Sequence, residues 1–122
     1  MATPAWEDRG LGRPFGCGDV VVSVHKGSTW SRRLSDGRVV GRLGVAARKG
    51  SRCTPDGHIL IAGRRDVAIY DGPRFRRLWR HAVGSLIKDV ALCGTRITML
   101  LSNDSSLATI DLPQAEGAPG PR

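Results

Sequence analysis

The residues best equipped for chemistry in this 122-residue chain are arginines placed beside aromatic rings. Arg32 and Arg33 follow Trp30, Arg64 and Arg65 form a pair, and the run "RFRRLWR" holds Arg74, Arg76, Arg77, Trp79 and Arg80. A guanidinium pairs bidentately with phosphate or carboxylate, and an aromatic face stacks on an unpaired base. Arg32, Arg33, Arg64, Arg65, Arg74, Arg76, Arg77, Trp79 and Arg80 are therefore the candidate residues for binding a protein partner or a nucleic acid. On an extended segment, Phe75, Arg77 and Trp79 share one face, and Arg74, Arg76, Leu78 and Arg80 the other. An outer strand that turns its aromatics inward and solvates its arginines shows the same pattern. Arginines on such an edge also discourage strand-to-strand aggregation.

Other reactive side chains form no set. His25, His58 and His81 stand far apart, without the i, i+3 or i, i+4 spacing of metal ligands. Cys17, Cys53 and Cys93 contain no C-x-x-C pair, and reduced thiols acting as small buried hydrophobes are expected of them. "GLGRPFG" at 10 to 16 matches a phosphate-cradling loop only loosely and follows no strand. There is no G-x-S-x-G elbow. The expectation is no catalytic residues, no metal, no cofactor and no small-molecule substrate.

The net charge of +8 rests on 16 arginines and three lysines, and its distribution is uneven. Residues 26 to 88 carry 15 basic against four acidic side chains, a net of +11, while the remainder nets −3. Such a field attracts an acidic protein partner, nucleic acid or an anionic surface. "MATPAWEDRG" lacks the apolar run of a secretory leader, and no segment has the length of a membrane span. With reduced thiols, this reads as a soluble cytoplasmic protein with no membrane role.

These side chains need a frame, and the apolar runs supply it. "DVVVSV" (19 to 24), "HILIAG" (58 to 63), "DVAIYD" (66 to 71) and "RITMLL" (96 to 101) are short, β-branched and bounded by turn residues, as strands are. "HAVGSLIKDVALC" (81 to 93) approaches a helical stripe, but Gly84 interrupts it, so a connection followed by a strand is expected. Residues 1 to 15 read as a flexible arm, 16 to 113 as the folded β region and 114 to 122 as a disordered Pro/Gly tail.

Internal repetition organises the β region. Gly18, Gly57 and Gly94 each open an apolar strand, polar turn and second strand, at separations of 39 and 37 residues. Asp36, Asp71 and Asp111 close the three units and read as turn-forming side chains. "VAIYDGP" (67 to 73) and "LATIDLP" (107 to 113) share apolar-Ala-x-apolar-Asp-x-Pro. The pattern resembles a β-propeller repeat of the WD-repeat or YVTN-like kind.

That resemblance implies an all-β, antiparallel partial propeller of about two to two and a half blades, with a small β-sandwich or barrel as the alternative. Each Gly turn would lead from an innermost strand to the second strand of a blade. "RVVGRL" (38 to 43) and "RFRRLW" (74 to 79) would be outer strands, and "LIKDVALCG" (86 to 94) the next inner strand. The Gly-His pair of WD repeats is absent from its place, and Tyr70-Asp71 and Ile110-Asp111 stand where Trp-Asp would. An open blade stack exposes apolar faces and invites association. The functional expectation is a non-catalytic scaffold that binds a protein partner or itself and completes its fold with other chains or missing blades. The alternative is a basic protein that binds RNA or single strands.

Overall fold

A computed structural model describes residues 14–102 and 106–112, and these form three antiparallel sheets with no helix among them. The first sheet comprises β1 (Phe15–Cys17), β2 (Val20–His25), β3 (Ser28–Arg33) and β4 (Val39–Leu43). The second comprises β5 (Arg52–Cys53), β6 (Ile59–Ala62), β7 (Asp66–Tyr70) and β8 (Arg77–Ala82). The third comprises β9 (Ile87–Cys93), β10 (Arg96–Leu101) and β11 (Leu107–Asp111). Strands follow chain order across every sheet, so each sheet is a meander that passes directly to the next. The three sheets are blades.

Turn chemistry fixes where each blade starts. Gly18, Gly57 and Gly94 have φ of 62°, 83° and 61°, a conformation glycine adopts without steric cost, and each sits between a first and a second strand. Asp36 and Asp71 then terminate the third strands. The Asp36 carboxylate accepts a 3.1 Å bond from the Arg38 amide, and Asp71 accepts one of 2.6 Å from the Arg74 amide. Asp111 behaves differently: it is the last residue of β11 and pairs with Arg96 across the ladder at 3.2 Å.

Blade 2 decides the packing. Along β6 and from Val67 to Tyr70 every side chain is buried. Alternation therefore gives this sheet two apolar faces. Ile59, Ile61, Ala68 and Tyr70 pack with Val20, Val22 and Val24 of blade 1. Leu60, Ala62, Val67 and Ile69 pack with Val90, Ile97 and Met99 of blade 3. Burial of each such Val, Leu or Ile stabilises the fold by about 1.5–3 kcal/mol.

Two glycines let the blades approach. A side-chain carbon on Gly50, which has φ of 101°, would lie 2.8 Å from the Val90 carbonyl oxygen of β9. One on Gly41 would lie 3.0 Å from the Phe75 Cβ. Phe75 has φ of 53°, is buried, and packs its ring 4.9 Å from that of Tyr70.

Two four-stranded blades and three described strands of a third make the partial propeller that the sequence leads one to expect, with neither a sandwich nor a barrel. The structure corrects three expectations. The outer strand of blade 2 starts at Arg77, because the left-handed Phe75 interrupts the extended chain. Arg74 and Arg76 therefore lie in the preceding turn, outside the strand alternation that would have paired their face with Arg80. Asp111 acts in an ion pair. Finally, Cys17 and Cys53 are joined in a disulfide with Cα atoms 5.2 Å apart, and the remaining thiol, Cys93, is exposed rather than buried. The bond links the innermost strands of blades 1 and 2 across a 36-residue separation. Residues 1–13 of the expected 1–15 arm and the whole expected tail, 114–122, lie outside the described residues, while Phe15 belongs to β1.

Closing a loop of that length stabilises the fold by about 3–4 kcal/mol in the chain-entropy account. Replacing both residues (Cys17→Ser with Cys53→Ser) is expected to reduce unfolding free energy by that amount in urea titrations. Peptide mapping without reductant is expected to recover Cys17 linked to Cys53; free thiols at both positions would contradict the bond.

Candidate functional site: a cationic cleft at the blade junctions

The second-to-third strand turns and the connections between blades emerge at the same end of the meander. At blades 2 and 3 these segments enclose a cleft of about 930 Å³. Its walls are the 45–48 segment leading out of blade 1, the Gly63–Asp66 turn between β6 and β7, and the start of β9 with Leu86.

Main-chain bonds fix this rim. The Arg48 amide donates to the Ala62 carbonyl at 2.8 Å, joining the first connection to the end of β6. The Ile87 and Val83 amides donate to the Arg64 and Arg65 carbonyls at 2.8 and 2.7 Å. The Ser102 amide donates to the Leu86 carbonyl at 3.0 Å. The Arg64-Arg65 turn is thereby held through its backbone, and both side chains remain exposed.

Buried hydroxyls complete the support. Thr29 in β3 donates to the Val45 carbonyl at 2.8 Å and accepts from the Ala47 amide at 2.6 Å. Ser51 donates to the Arg48 carbonyl at 2.7 Å and accepts from the Ala62 amide at 2.9 Å. Each hydroxyl satisfies one donor and one acceptor; Val45, Ala47 and Arg48 lie in the connection out of blade 1, which has no ladder partner, and Ala62 ends β6.

Charge at the cleft is strongly one-sided. Among the described residues, Arg48, Arg64, Arg65, Arg80 and Lys88 line it with a single carboxylate, Asp66. Asp66 is committed: its Oδ2 takes a 2.6 Å bond from Arg80 Nε, and its carboxylate packs over the bare Cα of Gly63. Arg48, Arg64, Arg65 and Lys88 have no ion-pair partner among the described residues. Exposed Val45 and half-buried Leu86 add apolar surface to the cleft, and the buried Ile87 lies beneath it.

Of the nine candidates singled out in the sequence, only Arg64, Arg65 and Arg80 meet here. Arg32 and Arg33 lie on β3, where the Arg32 guanidinium sits 5.7 Å from the Trp30 ring centre and Arg33 Nη2 lies 2.7 Å from Asp36. Those bonds from Arg33, with the Arg38 amide, hold the Asp36 carboxyl below its usual range. Arg74, Arg76 and Arg77 lie at the opposite end of β7, and Arg76 is 3.7 Å from Asp71. Trp79 packs with the core between blades 2 and 3 and stacks on His81 with 6.0 Å between ring centres. A second cleft at that far end, between blades 1 and 2, has Arg33 as its only lining cation among the described residues.

Arg48 and Lys88 belong to the cleft and were not singled out in the sequence. They sit in or just after blade connections, which emerge beside the β6–β7 turn. Placing connections and second-to-third strand turns at one end of the repeat would have grouped them with Arg64 and Arg65. Among the described residues no three His, Cys, Asp or Glu side chains converge as metal ligands.

No family model matches the chain, and no curated protein matches its sequence. Solved structures do resemble it. BamB from Moraxella catarrhalis is similar with a TM-score of 0.66 and 19% identity, over 84% of this chain and 34% of that one. Hydrazine synthase from Kuenenia stuttgartiensis gives 0.59 and 17%, over 91% and 36% respectively. The WD40 β-propeller domain of Doa1 gives 0.58 and 16%, over 79% and 34%. The chain spans about a third of the length of each. At these identities the likeness establishes the fold, that of β-propeller blades.

The hydroxyl support is testable. Thr29→Val keeps the side-chain shape but leaves the Val45 carbonyl and Ala47 amide unpaired, at an expected cost of about 1–3 kcal/mol in urea unfolding. Thr29→Ser is expected to retain most of that stability.

Proposed function

We propose that the chain is a non-catalytic interaction module whose blades associate with a protein partner, further copies of the chain included. The observation that carries this reading is the open end of the blade stack. Blades 1 and 2 each place a fourth strand on the outer edge of the third, whereas β11 has no outer neighbour among the described residues. Leu107 on β11 is 68% exposed. A strand edge with no described neighbour, beside an exposed leucine, favours pairing with another chain. Similarity to propellers about three times as long fits a unit that works within a larger set of blades.

The neighbours of two histidines support a non-catalytic role. His58 Nδ1 lies 3.8 Å from Asp56, and His81 stacks on Trp79. Aromatic faces that could stack on bases are also occupied. Trp30 has the Arg32 and Arg42 guanidiniums within 5.7 and 5.4 Å of its ring centre, and Phe75 is buried. These contacts favour a protein over a single-stranded nucleic acid as partner. The Cys17–Cys53 bond favours a compartment in which disulfides persist, in place of the cytoplasm expected from reduced thiols.

Sedimentation equilibrium of the chain across a concentration series tests the reading. The expected result is a mass above that of one chain that rises with concentration, and its loss on Leu107→Lys. A single monomeric species at every concentration, unchanged by that substitution, would contradict self-association.

A further inference from the structure

The cationic cleft goes beyond association through the blade edge, because it offers a second and chemically distinct surface. Four cations, Arg48, Arg64, Arg65 and Lys88, converge from three separate chain segments. Asp66, the carboxylate within the cleft, already serves Arg80. Unpaired like charges held together repel, and a rigid rim prevents them from spreading. An anion entering the cleft relieves that repulsion and gains charge-assisted bonds.

Its lining narrows the class of anion. Exposed Val45 and half-buried Leu86 present aliphatic surface within the same cleft, and no aromatic ring among the described residues lines it. A bare phosphate leaves that surface wet, and a nucleic-acid base finds no stacking platform. The open volume of about 930 Å³ exceeds what a single small anion fills. A polypeptide segment that alternates carboxylates with aliphatic side chains satisfies both parts of the lining. The main-chain bonds that clamp the Arg64-Arg65 turn mean that little backbone ordering accompanies binding.

We propose that this cleft docks an acidic, aliphatic peptide segment of a protein partner. The partner's carboxylates bond to Arg48, Arg64, Arg65 and Lys88, and an aliphatic side chain rests against Val45 and Leu86. The assignment rests on the interaction-module reading and names the partner chemistry, while the open blade edge remains a separate surface.

Fluorescence anisotropy with the full chain tests it. The probes are a labelled ten-residue peptide alternating Glu with Leu, a Glu/Ser peptide of equal charge, and a single-stranded DNA oligonucleotide. The expected result is binding of the Glu/Leu peptide that weakens with added salt and exceeds binding of the Glu/Ser peptide at least threefold. Arg64→Glu with Arg65→Glu is expected to weaken it at least tenfold. The same charge change at the other end of the blade, Arg74→Glu with Arg77→Glu, is expected to change it less than twofold. Arg64→Gln with Arg65→Gln, checked by thermal melting, separates loss of binding from loss of fold and is expected to weaken binding without moving the melt.

No binding of the Glu/Leu peptide at low salt overturns the proposal, as does equal weakening by both charge reversals. Equal affinity for the two peptides removes the aliphatic contact and overturns it too. Tighter binding of the oligonucleotide, lost on Arg64→Glu with Arg65→Glu, assigns the cleft to nucleic acid instead. If the peptide fails while concentration-dependent association persists, the docking assignment falls and the interaction-module reading stands.

Discussion

The structure depends on a sheet that cannot tolerate water on either face. In blade 2, β6 and residues 67 to 70 of β7 are buried throughout, so successive residues point alternately into two different cores. Ile59 and Ile61 meet the valines of β2, while Leu60 and Ile69 meet β9 and β10. A single two-layer packing would leave one of those faces exposed. Blades on both sides are therefore a requirement of this sequence, and the meander topology supplies them with short connections. Gly50 and Gly41 permit the close approaches, and the Cys17–Cys53 bond ties the inner strands of the first two blades together.

The cleft follows from the same demand. Stacking blades forces each connection to cross from an outer strand back to the next inner strand, over the end where the second-to-third strand turn emerges. Those segments lack ladder partners, so Thr29, Ser51 and the Arg64 and Arg65 carbonyls take over their hydrogen bonding. Ala47 and Ser51 in the first connection are buried and serve the fold, whereas the cations Arg48, Arg64, Arg65 and Lys88 line the open cleft, where charge is tolerated and can be used for recognition.

Local chemistry was readable in the sequence, and long-range chemistry was not. The Gly18, Gly57 and Gly94 turns announce themselves because φ above zero is a local demand. The strand after Gly84 was legible for a related reason, since glycine weakens the competing helix there. Phe75 defeated the alternation rule: a bulky residue with φ of 53° is held by its pocket against Tyr70 and Gly41, which no local pattern encodes. The Cys17–Cys53 pairing was equally hidden, because it depends on β1 and β5 lying side by side in space. Nothing local shows which candidate arginines meet, and β7 separates Arg64 and Arg65 from Arg74 and Arg76.

The central claim is that blade 2 is sealed on both faces. Native-state amide hydrogen exchange resolved by residue tests it most directly. The account predicts that the paired amides of Ile59–Ala62 and Val67–Tyr70 are the slowest in the chain and share one opening free energy, that of global unfolding. Exchange of either strand as fast as that of the β11 edge would show a face of blade 2 open to water and contradict the account.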